Sequence, residues 1–298
     1  MTPSFARRHR LSAAGGALLA LATLTIAGCA PSDSTGKTSA GSSASATTNA
    51  CTKANLQTQT PGTLTIATDQ PVYEPWFADN KPENKQGFES AVAYAVASKL
   101  GYADADVKWV RAHFDDVISP TPKKFDFDIN EFSITDVRKK VVDFSTGYYD
   151  VTQAVVTIKG SKVDGATSLA ALKDAKLGAQ KGTTSYDAIG ATIKPTQAPA
   201  VFNTNDLAVQ ALKNKQIDGL VVDLPTALYI AAAQVKGGVV VGQFPSTGAP
   251  EQFGLLLGKG SAITSCMSQA VDALRKDGTL AQLATQWLTG TNGAPVLQ

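Results

Sequence analysis

Glu131-Phe132-Ser133-Ile134-Thr135-Asp136-Val137-Arg138-Lys139-Lys140-Val141-Val142-Asp143-Phe144-Ser145 is the stretch on which the reading of this chain turns. Ser133, Thr135 and Asp136 are residue types that start helices, because their side-chain oxygens accept the unpaired N–H groups of a first turn. A short helix opening there aims free backbone donors, and the positive end of its dipole, at whatever lies in front. Arg138 falls within that first turn, and a guanidinium grips a carboxylate through two parallel hydrogen bonds. Backbone donors, the Ser133 hydroxyl and Arg138 converging on one spot make a receptor for a small carboxylate. The plainer reading is a surface helix with a solvated Arg-Lys-Lys run. The flanking sequence decides between the two.

Outward from this stretch, short apolar runs alternate with helical patterns, which points to α/β architecture. Strands are expected at Leu64–Thr68, 107–110, 125–129 and Gln153–Ile158, the last leaving a first lobe for a second. A helix at 87–100 sets Phe88, Val92, Val96 and Leu100 on one side. The second lobe reads as strand 176–180, helix 185–193, strand 198–202, helix Asn205–Lys213, strand 219–222 and helix 225–234. An apolar run at 239–244, a strand at 253–257 and amphipathic helices at 263–276 and 280–288 complete the chain. No internal repeat is present.

The N-terminus bears on location. Arg7, Arg8 and Arg10 precede an uncharged apolar run at 11–28 that ends Ile26-Ala27-Gly28-Cys29. A basic start, an apolar middle and small residues at the end form a secretory leader. A plain membrane-spanning helix is the alternative, since the run is about the minimum length for one. The Arg7-Arg8 pair fits twin-arginine export, although the residues after it do not. Residues 31–50 are almost wholly Ser, Thr, Ala and Gly. Such a stretch cannot bury enough apolar surface to offset its ordering entropy, so a flexible tether is expected over 29–56.

The chain carries 27 Lys and Arg against 25 Asp and Glu, a net charge of +2. Three of the arginines sit in the leader, so the body is close to neutral. It has no basic stripe and no aromatic-basic interleaving, which argues against nucleic acid. There is no metal-ligand spacing and no nucleophile-base pattern, and no cofactor is implied. Cys51 and Cys266 remain beside Cys29; in an oxidising compartment they either pair or stay as two buried thiols.

Together these segments resemble the amino-acid-binding family of bacterial extracytoplasmic solute receptors (family 3), which feed ABC importers. Thr68-Asp69 with Pro75 and Trp76 is similar to its T-D-x-x-x-P-F strand end, and Gly87-Phe88-Glu89 to its G-F-D signature. Ser90 and Ala91 depart from the pattern, which usually has a second acid at the latter position. Ser133 to Arg138, Asp143-Phe144-Ser145 and Tyr148-Tyr149 match the S-I-T-x-x-R…V-D-F-S…Y block. Gly182-Thr183-Thr184, Ile217-Asp218-Gly219 with Asp223, Phe253-Gly254 and Asp277-Gly278-Thr279 with Trp287 follow in the family's order. Each motif is weak by itself, and their order and spacing make the set specific. Ile26 to Cys29 likewise resembles a lipobox, in which the Cys is acylated.

The resemblance implies two α/β lobes of the type II periplasmic-binding-protein kind, joined by two crossing hinge strands. Lobe 1 is then 57–150 and 250–298, and lobe 2 is 151–249. The lipobox resemblance implies a lipoprotein leader at 1–28 and a lipid on Cys29, in a monomer held outside the cell membrane, and in that oxidising compartment a Cys51–Cys266 disulfide is expected. Arg138, Ser133 and Thr184, with Gly182 and Thr183, would hold a ligand α-carboxylate, and Asp223 its α-ammonium. Asp223 and Thr184 fit equally as helix caps. Neither Arg138 nor Asp223 is expected to find a partner within its own lobe. Asp69, Tyr73 and Trp76, with Glu131 and Phe132, fall around the ligand side chain. Tyr73 and Trp76 either stack on a cationic or planar group or belong to the core. If Glu131 faces the cleft, two carboxylates suit a basic ligand; if it faces outward, a polar neutral one fits as well. A binding protein is thus expected rather than an enzyme. A dehydratase using Glu131 as general acid, and a sensor subunit for a receptor kinase, are the alternatives.

Overall fold

A computed structural model describes residues 51–246, 248–288 and 293–298. The leader, Cys29 and the Ser/Thr-rich run of the tether lie outside the described residues. Residues 51–56, expected as the end of the tether, belong to the folded body. Leu56 is buried, and the Lys53 N–H donates to the Leu100 carbonyl at 2.8 Å. A disulfide between Cys51 and Cys266, with Cα atoms 5.1 Å apart, holds this segment down.

The first lobe opens with β1 (Leu64–Thr68), α1 (Phe88–Lys99), β2 (Val107–Arg111), α2 (Phe114–Val117), β3 (Phe127–Asp128) and β4 (Val142–Val151). The chain then crosses into β5 (Gln153–Ile158), β6 (Leu177–Gln180), α3 (Thr184–Ala188), β7 (Ala200–Phe202), α4 (Asn205–Lys213), β8 (Gly219–Asp223), α5 (Leu224–Tyr229) and β9 (Gly238–Gln243). It returns through β10 (Glu251–Gly258), α6 (Thr264–Lys276) and α7 (Thr279–Trp287). The described strands form two five-stranded sheets, ordered β2-β1-β3-β10-β4 and β7-β6-β8-β5-β9. In the first, β1 runs parallel to β2 and β3, and β10 runs antiparallel to its neighbours. In the second, β6 is parallel to β7 and β8, and β5 is antiparallel to β8 and β9.

Every residue of β1 is buried, as the apolar run of a strand covered on both faces requires. One face of that sheet meets α1, α6 and α7 in a core built on Trp76, Phe88, Val92, Phe253 and Met267. The second sheet is covered on one face by α4 and α5, and on the other by the segment carrying Val163, Leu172, Ile189 and Ile193. Thr152 separates β4 from β5, and β9 returns to β10, so two strands cross between the lobes.

Two expectations are corrected. The helix expected after Ser133 is a single 3-10 turn at Arg138–Lys140. Thr135 Oγ1 accepts the Arg138 N–H at 3.2 Å, a local turn that offers no longer helix. The chain then enters the ten-residue β4, for which the sequence showed no clean alternation. The C-terminus is not confined to the first lobe either. Leu297 is buried in the second lobe's core, and its N–H donates to the Gln243 carbonyl at 2.9 Å. Gln298 and Leu169 bond similarly, so residues 294–298 pack with the second lobe.

Candidate functional site

The site lies at the carboxyl ends of β1, β3, β6 and β8, where open α/β sheets place their ligands. Asp69 follows β1, Glu131 follows β3, Gly182 to Thr184 follow β6, and Asp223 ends β8. Asp69, Tyr73, Glu131, Arg138, Thr183, Thr184 and Asp223 line one cavity between the lobes, together with Phe114, Asn130, Gln180 and Asn205. It measures about 50 Å³. That is space for a few waters at about 10–15 Å³ each, and a larger ligand would enter such a cleft as the lobes part.

Arg138 is buried. Its guanidinium donates to the Ser133 carbonyl at 2.8 Å and to the Gly182 carbonyl at 2.9 Å, and lies 5.4 Å from the Phe114 ring centre. Ser133 is fixed by bridging to Phe253 of β10, and its hydroxyl lies 3.2 Å from the Thr184 hydroxyl across the cleft. The capping question at this loop is settled by its neighbour. Thr183 Oγ1 accepts the Tyr186 N–H at 3.2 Å, which caps α3 and leaves the Thr184 hydroxyl turned to the cleft.

Asp223 occupies the N-cap position of α5 without a side-chain capping bond. Its Oδ1 instead accepts from Gln153 Nε2 at 2.7 Å, and the same amide reaches Glu251 Oε2 at 3.0 Å. Ser185 Oγ donates to Gln153 Oε1 at 2.6 Å, which fixes the amide orientation. Burial first, and then the negative charge of Glu251, pushes the Asp223 carboxyl up to about 8; the Gln153 bond and Arg138 pull the other way. Arg138 and Asp223 therefore each have a partner within their own lobe, Ser133 and Gln153, contrary to expectation.

Glu131 faces the cleft. Its backbone is left-handed, with φ 54°, and its N–H donates to Glu89 Oε1 at 2.7 Å. Burial, followed by the charges of Glu89 and Asp223, holds its carboxyl well above the usual carboxylate range. Asp69 is raised by burial and sits 3.5 Å from His113 Nδ1. Arg138 is the one cation among the described lining residues, against three lining carboxylates.

Two expected ligand contacts lie elsewhere. Trp76 is fully buried, packed edge-on against Phe88, Tyr149 and Phe253, and does not line the cavity. Phe132 is buried beneath the cleft, stacked on Phe114 with ring centres 4.9 Å apart. Phe114 takes the aromatic place at the cavity wall. Gln153, Glu251 and Phe114 escaped sequence reading; a glutamine opening the apolar run of β5 was the one available signal.

A family model described as bacterial extracellular solute-binding proteins, family 3, matches residues 64–290. A probable histidine-binding protein of Campylobacter jejuni is 28% identical over 234 residues, covering 77% of this chain and 87% of the relative. The ABC transporter glutamine-binding protein of Bacillus subtilis is 30% identical over 210 residues, covering 68% and 72%. Among solved structures, an ancestral arginine-binding protein bound to glutamine is similar with a TM-score of 0.63 and 32% identity, covering 76% of this chain and 98% of its own.

Proposed function

Because the chain belongs to the bacterial extracellular solute-binding proteins of family 3, we propose that it captures a free amino acid and delivers it to an ABC importer. The ligand is a basic or polar amino acid closed between the lobes. Arg138, Ser133 and Thr184 take the α-carboxylate, and Asp223 takes the α-ammonium. Asp69 and Glu131 face the side chain, with Tyr73 and Phe114 flanking it. The observation that carries this reading is the excess of carboxylates over cations around one cavity. Buried carboxylates without cations are costly, and a cationic zwitterion supplies the missing charge as the lobes close. The relatives bearing the names of histidine- and glutamine-binding proteins support the same ligand class.

The lipobox-like Ile26 to Cys29 and the tether that follows extend the reading to a monomeric lipoprotein, held on the outer face of the membrane by a lipid on Cys29. Changing Cys29 to Ser is expected to release the protein from the membrane fraction or leave its leader uncleaved. Calorimetric titration of the purified protein with the common amino acids tests the ligand class. Micromolar binding of arginine, lysine, histidine or glutamine is expected, and binding confined to acidic or aliphatic amino acids overturns it.

A further inference from the structure

We propose that Thr226 is a positioning residue that ties closure of the lobes to recognition of the ligand's cationic side chain. The proposal rests on the functional reading above. Thr226 belongs to α5 of the second lobe, yet its side chain is buried between two residues of the first. Trp76 donates its indole N–H to Thr226 Oγ1 at 2.8 Å, and Thr226 Oγ1 donates onward to Glu131 Oε2 at 3.1 Å.

The direction of this relay is fixed by chemistry. An indole N–H only donates, so the hydroxyl accepts there and has its single proton left to give. Glu131 Oε2 must therefore present a lone pair. A donor aimed at that lone pair favours the charged carboxylate, against the burial and like charges that oppose it.

The geometry also explains why the hydroxyl comes from the second lobe. The Glu131 backbone is pinned in the first lobe through Glu89 and the left-handed turn. Parting the lobes removes Thr226 from both bonds at once. Trp76 then loses its acceptor and the Glu131 carboxylate loses its donor, so the cation receptor is complete only in the closed form. The relay also explains an indole at position 76, deep in an apolar core, because a buried Trp N–H needs a partner.

The test compares L-arginine with its neutral isostere L-citrulline by calorimetric titration of the full-length protein. Thr226→Val is expected to weaken arginine binding at least tenfold and to reduce the arginine-to-citrulline preference, while Thr226→Ser retains both. Glu131→Gln added to Thr226→Val should cost less than Glu131→Gln alone. Trp76→Phe removes the indole donor within the aromatic core and should shift the preference in the same direction; it decides the matter if Thr226→Val does not fold. An unchanged preference, or equal loss for both ligands, reduces Thr226 to a packing residue and overturns the proposal. A wild-type protein that binds histidine or glutamine but no arginine overturns this proposal alone, whereas one that binds no basic or polar amino acid takes down the functional reading as well; both outcomes are recognised because they precede any mutation.

Discussion

Arg138 donates to the carbonyl of Gly182 at 2.9 Å, so a first-lobe guanidinium is bonded directly to the second lobe. With its bond to the Ser133 carbonyl and the Phe114 ring beneath it, Arg138 is both a proposed ligand clamp and part of the closed structure. Arg138→Ala is therefore expected to do two things. Removing one partner of a buried charge pair costs about 3–5 kcal/mol, or roughly two to four decades of amino-acid affinity. The orphaned carbonyls should further lower the stability of the empty protein by about 1–3 kcal/mol. Calorimetry and a thermal melt measure the two separately. Near-normal affinity would place the α-carboxylate elsewhere.

The buried acids predict an unusual dependence of stability on pH. Burial pushes Glu89 up to about 7 and Asp223 to about 8, and raises Asp128 and Glu131 well above the ordinary carboxylate range. A carboxyl whose pKa is higher in the folded chain takes up protons on folding, so stability falls as pH rises between the two values. From roughly pH 4 to pH 8 the melting temperature of the empty protein should therefore decline. Exposed Asp277, lowered to about 2 by its bonds to Lys99 and Thr279, acts in the opposite sense but only below that window. A melting temperature that climbs steadily from pH 5 to pH 8 would contradict the burial of these groups.

The same chemistry makes binding pH-dependent. The proposed bond from the ligand ammonium needs Asp223 ionised, so below about pH 8 capture must displace a proton. Affinity for arginine should then rise between pH 6 and pH 8, with protons released to buffer. Titrations in buffers of different ionisation enthalpy measure that release directly. Asp223→Asn should abolish most of the release together with most of the affinity. Release that persists undiminished in this variant would assign the titrating group to another acid.

The sequence was most legible where one force decides. β1, β5 and α4 begin and end where they were expected, because continuous apolar runs or a Thr cap and a clear helical period define them. β4 was hidden because it mixes Asp143, Thr146, Gly147 and Asp150 with apolar residues and bulges against β10. Around the site, residues at strand ends were readable as motif positions. Trp76, beside the cleft loop, reads from sequence as either a ligand contact or a core aromatic, and its ring turns inward to the core. Gln153, Thr226 and Glu251 act across 70 to 98 residues of sequence, through partners that no local pattern reveals.

The disulfide gives a simpler test. Cys51 and Cys266 close a loop spanning 215 residues of sequence separation. The chain-entropy model puts such a bridge at about 5 kcal/mol, by restricting the unfolded chain, and disulfides typically deliver about 2–4 kcal/mol. Replacing both cysteines by Ala should lower the denaturant midpoint accordingly while arginine affinity stays close to normal, since the bridge joins residue 51 to α6 away from the cleft. Thiol labelling of the unfolded, unreduced wild type should find neither cysteine reactive.

The C-terminal tail offers the last prediction. Val296 pairs with Gln243 at the edge of β9, and Leu297 fills the second lobe's core beside Leu172 and Val155. Gly242 makes this possible, because a Cβ there would lie 2.8 Å from both the Pro295 carbonyl oxygen and Leu297 Cγ. That separation is too close for the tail to stay in place, so Gly242→Ala should dislodge it. The C-terminal end of β9 would then lose its cover, leaving the Gln243 N–H, which donates to the Pro295 carbonyl at 2.8 Å, open to water. Hydrogen exchange is expected to accelerate at Gln243, the end of β9, and to remain unchanged in β1. Leu297→Ala should reproduce the effect at a cost of about 2–5 kcal/mol through the cavity it leaves. Protection of β9 unaltered in both variants would show that the tail merely rests on the second lobe and does not hold its edge.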